Sequence, residues 1–207
     1  MKAPLRKIVF ATRNPHKVEE VQAILSDLPL EIVTLADFPE IGDIEESGQT
    51  FEENALIKAR AAYQATGLWS MADDSGLEVD ALDGAPGIYS ARYAGEGHDY
   101  AANNEKLLHA LRDVPPEKRT AQFRCVVAIV GPGFEKTVEG IIRGRIADKP
   151  RGHKGFGYDP IFIPDGYRQT FAQLGESIKN KISHRARAFQ QAAQVLEALL
   201  EDSSASR

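Results

Sequence analysis

Leu68-Trp69-Ser70-Met71-Ala72-Asp73-Asp74-Ser75-Gly76-Leu77-Glu78-Val79-Asp80 sets two adjacent carboxylates directly after a short apolar run. Like charges a few ångströms apart push one pKa up, so the pair is costly unless a cation neutralises it. A divalent cation such as Mg²⁺ would remove that cost. Asp73, Asp74 and Ser75 before Gly76 are equally the residue set of a turn, because they hydrogen-bond their own backbone and tolerate left-handed φ. The local pattern therefore predicts two short strands flanking an Asp-Asp turn.

Three other segments carry phosphate-type chemistry, each at a junction between elements. Ala11-Thr12-Arg13-Asn14-Pro15-His16-Lys17 follows the strand-like Lys7-Ile8-Val9-Phe10 and precedes a helix with Val18, Val21, Ile24 and Leu25 on one face. Asn14 is a good N-cap and Pro15 a good first helical residue. An anion can settle at such a helix start, with Thr12 as hydroxyl donor and Lys17 as counter-charge. In Gly155-Phe156-Gly157-Tyr158-Asp159-Pro160, glycines flanking an aromatic let the backbone approach a ligand while the ring offers a flat face; a glycine turn with a core phenylalanine has the same pattern. In Lys179-Asn180-Lys181-Ile182-Ser183-His184-Arg185, Ser183 is the expected cap of the last helix. His184 and Arg185 fall in its first turn, where a cation is disfavoured unless an anion or acceptor is nearby.

With 207 residues, 43% hydrophobic and 27% charged, the chain suits one globular domain. Its net charge of −5 argues against nucleic-acid polymers as partners but not against a small anion. The single cysteine, Cys125, lies in the apolar run Ala121–Val130 and reads as a buried small residue. The apolar run near the N-terminus is too short for a signal-peptide core, and no window approaches a spanning helix, so a cytoplasmic location with no membrane partner is expected.

Periodicity predicts strands at 7–12 and 30–35, helices at 15–27 and from the Thr50/Glu53 capping box to Thr66, and a polar loop at 37–49. A helix at 99–112, two long strands at 121–131 and 135–147 joined by Gly131-Pro132-Gly133-Phe134, a strand at 159–163 and a helix through about 200 complete the chain. Pro115-Pro116 is a candidate boundary between two lobes, and residues 201–207 have the composition of a disordered tail. Early strands beside helices and a later hairpin imply an α/β fold with a mixed sheet.

Taken together, these segments, with Thr50-Phe51-Glu52-Glu53-Asn54-Ala55, Lys58 and Gly87-Ile88-Tyr89-Ser90-Ala91-Arg92, resemble the inosine/xanthosine triphosphate pyrophosphatase family in order over nearly the whole chain. The resemblance implies an elongated mixed β-sheet flanked by helices, in two lobes with the active cleft between them, usually as a homodimer. It also implies Mg²⁺-dependent hydrolysis of inosine, deoxyinosine and xanthosine triphosphates to monophosphate and pyrophosphate. Carried over by position, Thr12, Arg13, Asn14, Pro15, His16, Lys17 and Lys58 would hold phosphates, and Ser75 would touch substrate. Glu46 and Asp74 would bind Mg²⁺, with Asp74 also the general base. Phe156, Gly157, Tyr158, Asp159, Lys179, His184 and Arg185 would form the nucleoside pocket. Read from the residues alone, Ile44-Glu45-Glu46-Ser47-Gly48 is a polar loop in which either glutamate could serve.

The chain lacks the glycine-rich lysine loop of P-loop enzymes. Two readings remain beside the main one: a pyrophosphatase for pyrimidine or other modified nucleotides, and a nucleotide-binding regulator without turnover. A substrate panel separates the first, and tight binding without pyrophosphate release the second.

Overall fold

Strand β1 (Arg6–Phe10) reads as a buried central strand, and Ile8, Val9 and Phe10 are fully buried in it. The computed structural model describes residues 5–205, with side chains to residue 201. After β1 the chain enters α1 (Pro15–Ile24), started by Asn14, whose Oδ1 accepts from the N–H groups of His16 (3.0 Å) and Lys17 (3.4 Å). β2 (Leu30–Thr34) returns parallel to β1, with Ile8 opposite Ile32. On its other edge β1 pairs in parallel with β3 (Trp69–Val79), Val9 facing Ser70.

Helix α2 (Phe51–Thr66) has the boundaries its sequence predicts. Thr50 Oγ1 accepts from Glu53 N at 3.1 Å, and Gly67 ends the helix at φ +67°, a left-handed conformation glycine adopts without Cβ strain. The Glu53 carboxylate reaches Gln49 N (2.6 Å) instead of closing back on the cap residue.

Strand β3 (Trp69–Val79) corrects the sequence reading. The Asp73-Asp74-Ser75-Gly76 segment is no turn; one strand of 11 residues runs through it. Gly76 is not among the residues with positive φ, so nothing in its backbone demands a bend. Side chains from distant elements neutralise the carboxylates, and this context overrides the local turn preference. Within a strand, successive side chains point to opposite faces, so Asp73 and Asp74 belong to different environments.

The rest of the chain supplies α3 (Tyr100–Ala110), the hairpin strands β4 (Thr120–Gly131) and β5 (Phe134–Ile146), β6 (Phe162–Pro164), α4 (Phe171–Leu174), α5 (Glu176–Ile182) and α6 (His184–Ala205). Helices α4 and α5 were not expected, and α6 continues through residues 201–205, where a tail was. The sheet order is β2-β1-β3-β4-β5-β6, with β5 and β6 antiparallel, so the fold is α/β with a mixed sheet.

The chain forms two compact units, one of residues up to 74, 125–140 and from 185, the other of 75–124 and 141–184. Pro115-Pro116 lies inside the second unit; the boundaries instead cut β3 between Asp74 and Ser75, β4 between Arg124 and Cys125, β5 between Gly140 and Ile141, and the start of α6 between His184 and Arg185. The first unit's core gathers Ile8, Phe10, Val21, Met71, Val127, Phe189 and Leu196, with Phe10 and Phe189 edge-on at 5.6 Å. The second is built on Leu77, Leu107, Leu111, Phe123, Ile161, Phe162 and Phe171. Each such fully buried side chain contributes about 1.5–3 kcal/mol, so each unit has a core of its own.

Candidate active site

In the first unit, the turn from β1 into α1 places Thr12 and Lys17 together. Asn14 N donates to Thr12 Oγ1 (3.1 Å), leaving the hydroxyl proton to donate elsewhere. Because Asn14 already takes the His16 and Lys17 amides, this helix start offers an anion its dipole, the Thr12 hydroxyl and the Lys17 ammonium. Lys17 Nζ lies 3.0 Å from Asp73 Oδ1 and 2.9 Å from Oδ2.

Asp73 also meets Arg185, whose Nε and Nη2 lie 3.4 and 3.5 Å from Oδ2, and Cys125 Sγ approaches the same oxygen at 3.8 Å. Arg185 in turn donates from Nη1 to Glu20 Oε2 at 2.5 Å. Burial alone would raise the Asp73 pKa, but Lys17, Arg185 and Lys58 outweigh it and hold the carboxyl well below the usual carboxylate range. Asp73 is thus a fixed anion in a chain of charges running from Glu20 to Lys17.

Asp74 has the opposite character. It accepts from Asn54 Nδ2 (3.0 Å), and its neighbouring charges are Lys58, Glu46 and Lys17. Burial, reinforced by the Glu46 charge, pushes its pKa above the usual range despite the lysines and the Asn54 hydrogen bond. Glu46 Oε2 pairs with Lys58 Nζ at 3.2 Å, while Glu45 is exposed. Burial opposes the charge on Lys58, yet Asp74, Glu46 and Asp73 raise its pKa and keep it cationic. Arg13 turns its guanidinium away from this group: Nη1 donates to Leu35 O (3.1 Å) and Nη2 to Ile41 O.

In the second unit, Asp159 organises the glycine loop. Its Oδ2 accepts from Phe156 N (2.9 Å) and Lys179 Nζ (2.6 Å), and both charged side chains are 3% exposed. Gly155 is required there: its φ is +74°, and a Cβ would stand 2.1 Å from Asp159 Oδ2. Lys179 Nζ sits 4.4 Å from the centroid of the Phe156 ring, a cation held at a flat aromatic face. Gly157 O accepts from Asn104 Nδ2 (3.0 Å), and Phe156 and Gly157 share the wall of a pocket of about 610 Å³ with Tyr100, Leu108 and Pro150.

Tyr158 points its hydroxyl at Ser90 O (2.8 Å), and Ser90 Oγ takes Leu77 N (2.9 Å). Tyr158 is therefore the anchor of its loop, and burial raises its pKa. His184, 4% exposed, stacks on Phe123 with centroids 4.6 Å apart.

The structure thus brings Thr12, Lys17, Glu46, Lys58, Asp74 and Arg185 into the first unit, with Ser75, Phe156, Gly157, Tyr158, Asp159, Lys179 and His184 in the second. Arg185, read from sequence as part of the nucleoside pocket, is occupied by Glu20 and Asp73. Glu20, Asn54 and Asn104 were missed as site supports. Only Asn54 carried a signal, as part of the Thr50–Ala55 motif.

The Ham1 family pattern matches residues 8–195 of this sequence. The chain belongs to the Ham1 family. It is 52% identical over 185 residues to the dITP/XTP pyrophosphatase of Geobacter sulfurreducens, covering 89% of this chain and 93% of that protein. The dITP/XTP pyrophosphatase of Bacillus subtilis is 50% identical over 195 residues, 94% of this chain and 98% of that one. Among solved structures, a HAM1 protein from Coxiella burnetii superimposes with a TM-score of 0.86 at 43% identity, over 94% of this chain and all of that one. A nucleoside-triphosphatase / dITP/XTP pyrophosphatase from Mycobacterium abscessus gives 0.74 at 48% identity, over 90% and 98%.

Proposed function

We propose that this Ham1-family chain is a nucleoside triphosphate pyrophosphohydrolase that cleaves dITP, ITP and XTP to the monophosphate and pyrophosphate by attack of water on the α-phosphorus. The carrying observation is the division of labour at Asp73 and Asp74: one carboxylate locked by Lys17 and Arg185, the next buried, raised in pKa and set beside Lys58 and Glu46. The relatives' names support the substrate class.

A triphosphate carries about four negative charges, and Lys17, Lys58 and the Thr12 hydroxyl are the groups that receive it. Water gives its proton to an Asp74 oxygen as its own oxygen bonds phosphorus. The bond from phosphorus to the bridging oxygen breaks, and pyrophosphate leaves with the two ammonium groups offsetting part of its charge.

Asp74 and Glu46 are the residues that would hold Mg²⁺. The fit rests on the donors being oxygens and on the burial and Glu46 charge that raise Asp74, a cost that a cation relieves. Among the described residues no group of three or more His, Cys, Asp or Glu gathers, so the remaining ligands of such a cation would come from substrate phosphates and water. When bound, Mg²⁺ supplies charge neutralisation at the phosphates and acidifies water.

For the base, Phe156 supplies stacking worth about 1–3 kcal/mol for any base, while Lys179 and His184 supply donors that match a 6-keto oxygen and mismatch the amino group of adenine. The family resemblance supports a homodimer, and the net charge of −5 is consistent with free nucleotides as substrates. Among the described residues no helix is long and apolar enough to cross a membrane.

The test is a panel of dITP, ITP, XTP, dATP, dGTP, dCTP and dTTP at fixed Mg²⁺, scoring pyrophosphate against orthophosphate. Pyrophosphate release concentrated on the first three supports the proposal. Equal cleavage of all seven, or none, removes it.

A further inference from the structure

We propose that Arg13 is a positioning residue for Glu46, fastening the loop that carries Glu46 to the turn that carries Thr12 and Lys17. The inference rests on the assignment of Glu46 to the metal under the proposed function.

Residues 42–48, between β2 and α2, have no regular structure. The chain before them is built of turns: Thr34 and Asp37 cap each other, Leu35 N donates to Thr12 O (3.3 Å), and Ile41 N donates to Phe38 O (3.0 Å). After them Gly48 N donates to Asn54 Oδ1 (2.8 Å) and Gln49 N to Glu53 Oε2 (2.6 Å), fixing the far end to α2. Glu46 lies between, its side chain 33% exposed, reaching Lys58 at 3.2 Å.

Arg13 makes the near anchor. Its guanidinium donates to Leu35 O (3.1 Å) and to Ile41 O, and Nε faces Asp43 Oδ1 at 3.5 Å. The Asp43 side chain is 99% exposed, so that ion pair contributes little; the two carbonyls hold the loop. A planar fork reaches the two carbonyls from separate nitrogens in a fixed geometry, whereas a lysine has a single ammonium nitrogen for both. The side chain that the family resemblance gives to a phosphate thus spends its donors on backbone oxygens eleven and five residues before Glu46.

Arg13→Ala frees one end of the segment, and the cost of ordering Glu46 shifts to the moment of metal binding. The experiment compares wild type, Arg13→Ala, Arg13→Lys, Asp43→Ala, Glu46→Ala and the double variant Arg13→Ala/Glu46→Ala. Hydrogen exchange of the ligand-free proteins reads the tether directly. Amides of residues 41–48 exchange about tenfold faster in Arg13→Ala, the loss expected from one hydrogen bond to a charged donor, and by less in Arg13→Lys. Asp43→Ala exchanges as wild type.

With dITP as substrate, Arg13→Ala raises the Mg²⁺ concentration for half-maximal pyrophosphate release about tenfold. Turnover at saturating Mg²⁺ and the nucleotide KM stay within about threefold, below a single hydrogen bond's worth. In the Glu46→Ala background, Arg13→Ala adds no further change in Mg²⁺ requirement, the signature of one residue acting through the other.

Unchanged exchange in Arg13→Ala overturns the proposal. So does a raised nucleotide KM at unchanged Mg²⁺ requirement, which returns Arg13 to the phosphates, or additivity in the double variant. A Glu46→Ala enzyme with the wild-type Mg²⁺ requirement removes the metal assignment instead, while the exchange data still report the tether.

Discussion

Asp73→Asn removes one negative charge from a buried cluster and changes almost nothing in volume. Asp73 is 2% exposed and takes Lys17 on both oxygens at 2.9–3.0 Å and Arg185 at 3.4–3.5 Å. Breaking a buried ion pair by removing one partner costs about 3–5 kcal/mol, because the other charge stays buried. Two features place this variant at the low end. Arg185 keeps Glu20 at 2.5 Å, and the Lys17 side chain is 16% exposed and can gain water. The expected loss is therefore about 3 kcal/mol, equivalent to about 6–12 °C in melting temperature for a chain of this size. Urea unfolding at pH 7 is the assay, with the slope m expected to match wild type so that the midpoint shift reports stability. A loss below about 1 kcal/mol would refute the reasoning, since it would mean the charges around Asp73 are hydrated and not held as a buried network.

The neighbouring carboxylate gives the contrast: Asp74→Asn lowers dITP turnover about a hundredfold or more while the unfolding free energy in urea stays within about 1 kcal/mol of wild type, because Asn54 can still donate to the amide oxygen. Removing divalent metal with EDTA abolishes pyrophosphate release without unfolding the protein, checked by far-UV circular dichroism, and added Mg²⁺ restores it. Gly155→Ala forces a Cβ to 2.1 Å from Asp159 Oδ2 at φ +74°, so dITP KM rises and thermal stability falls; unchanged values for both would clear the loop of any role. Burial raises the Cys125 thiol pKa. Its contribution to stability is full below the unfolded value of about 8.5 and is lost as pH climbs beyond it toward the higher folded value. Native protein at pH 8 should accordingly resist thiol reagents until urea unfolds it, and fast native labelling would contradict this.

Local rules sufficed where the determinant was local. Asn14-Pro15 started α1, Thr50 and Gly67 bounded α2, and Pro132-Gly133 joined β4 to β5. They failed at β3, because the groups that let Asp73 and Asp74 sit in a strand are remote: Lys17 is 56 positions from Asp73 and Arg185 is 112. Arg185 shows the same limit from the other side. Its place in the first turn of a helix required an anion, and two are present, but sequence could not say that they are Glu20 and Asp73. Helices α4 and α5, of 4 and 7 residues, are too short to show a helical period. The division into two units was hidden because three of its boundaries fall inside strands and the fourth in the first turn of α6, so none coincides with a linker between elements.

Hydrolysis of dITP by the purified chain in ¹⁸O-labelled water, read by mass spectrometry, tests the central claim most directly. Attack at the α-phosphorus puts the label in deoxyinosine monophosphate and leaves pyrophosphate unlabelled. Label in pyrophosphate, release of orthophosphate as the first product, or no cleavage would contradict it.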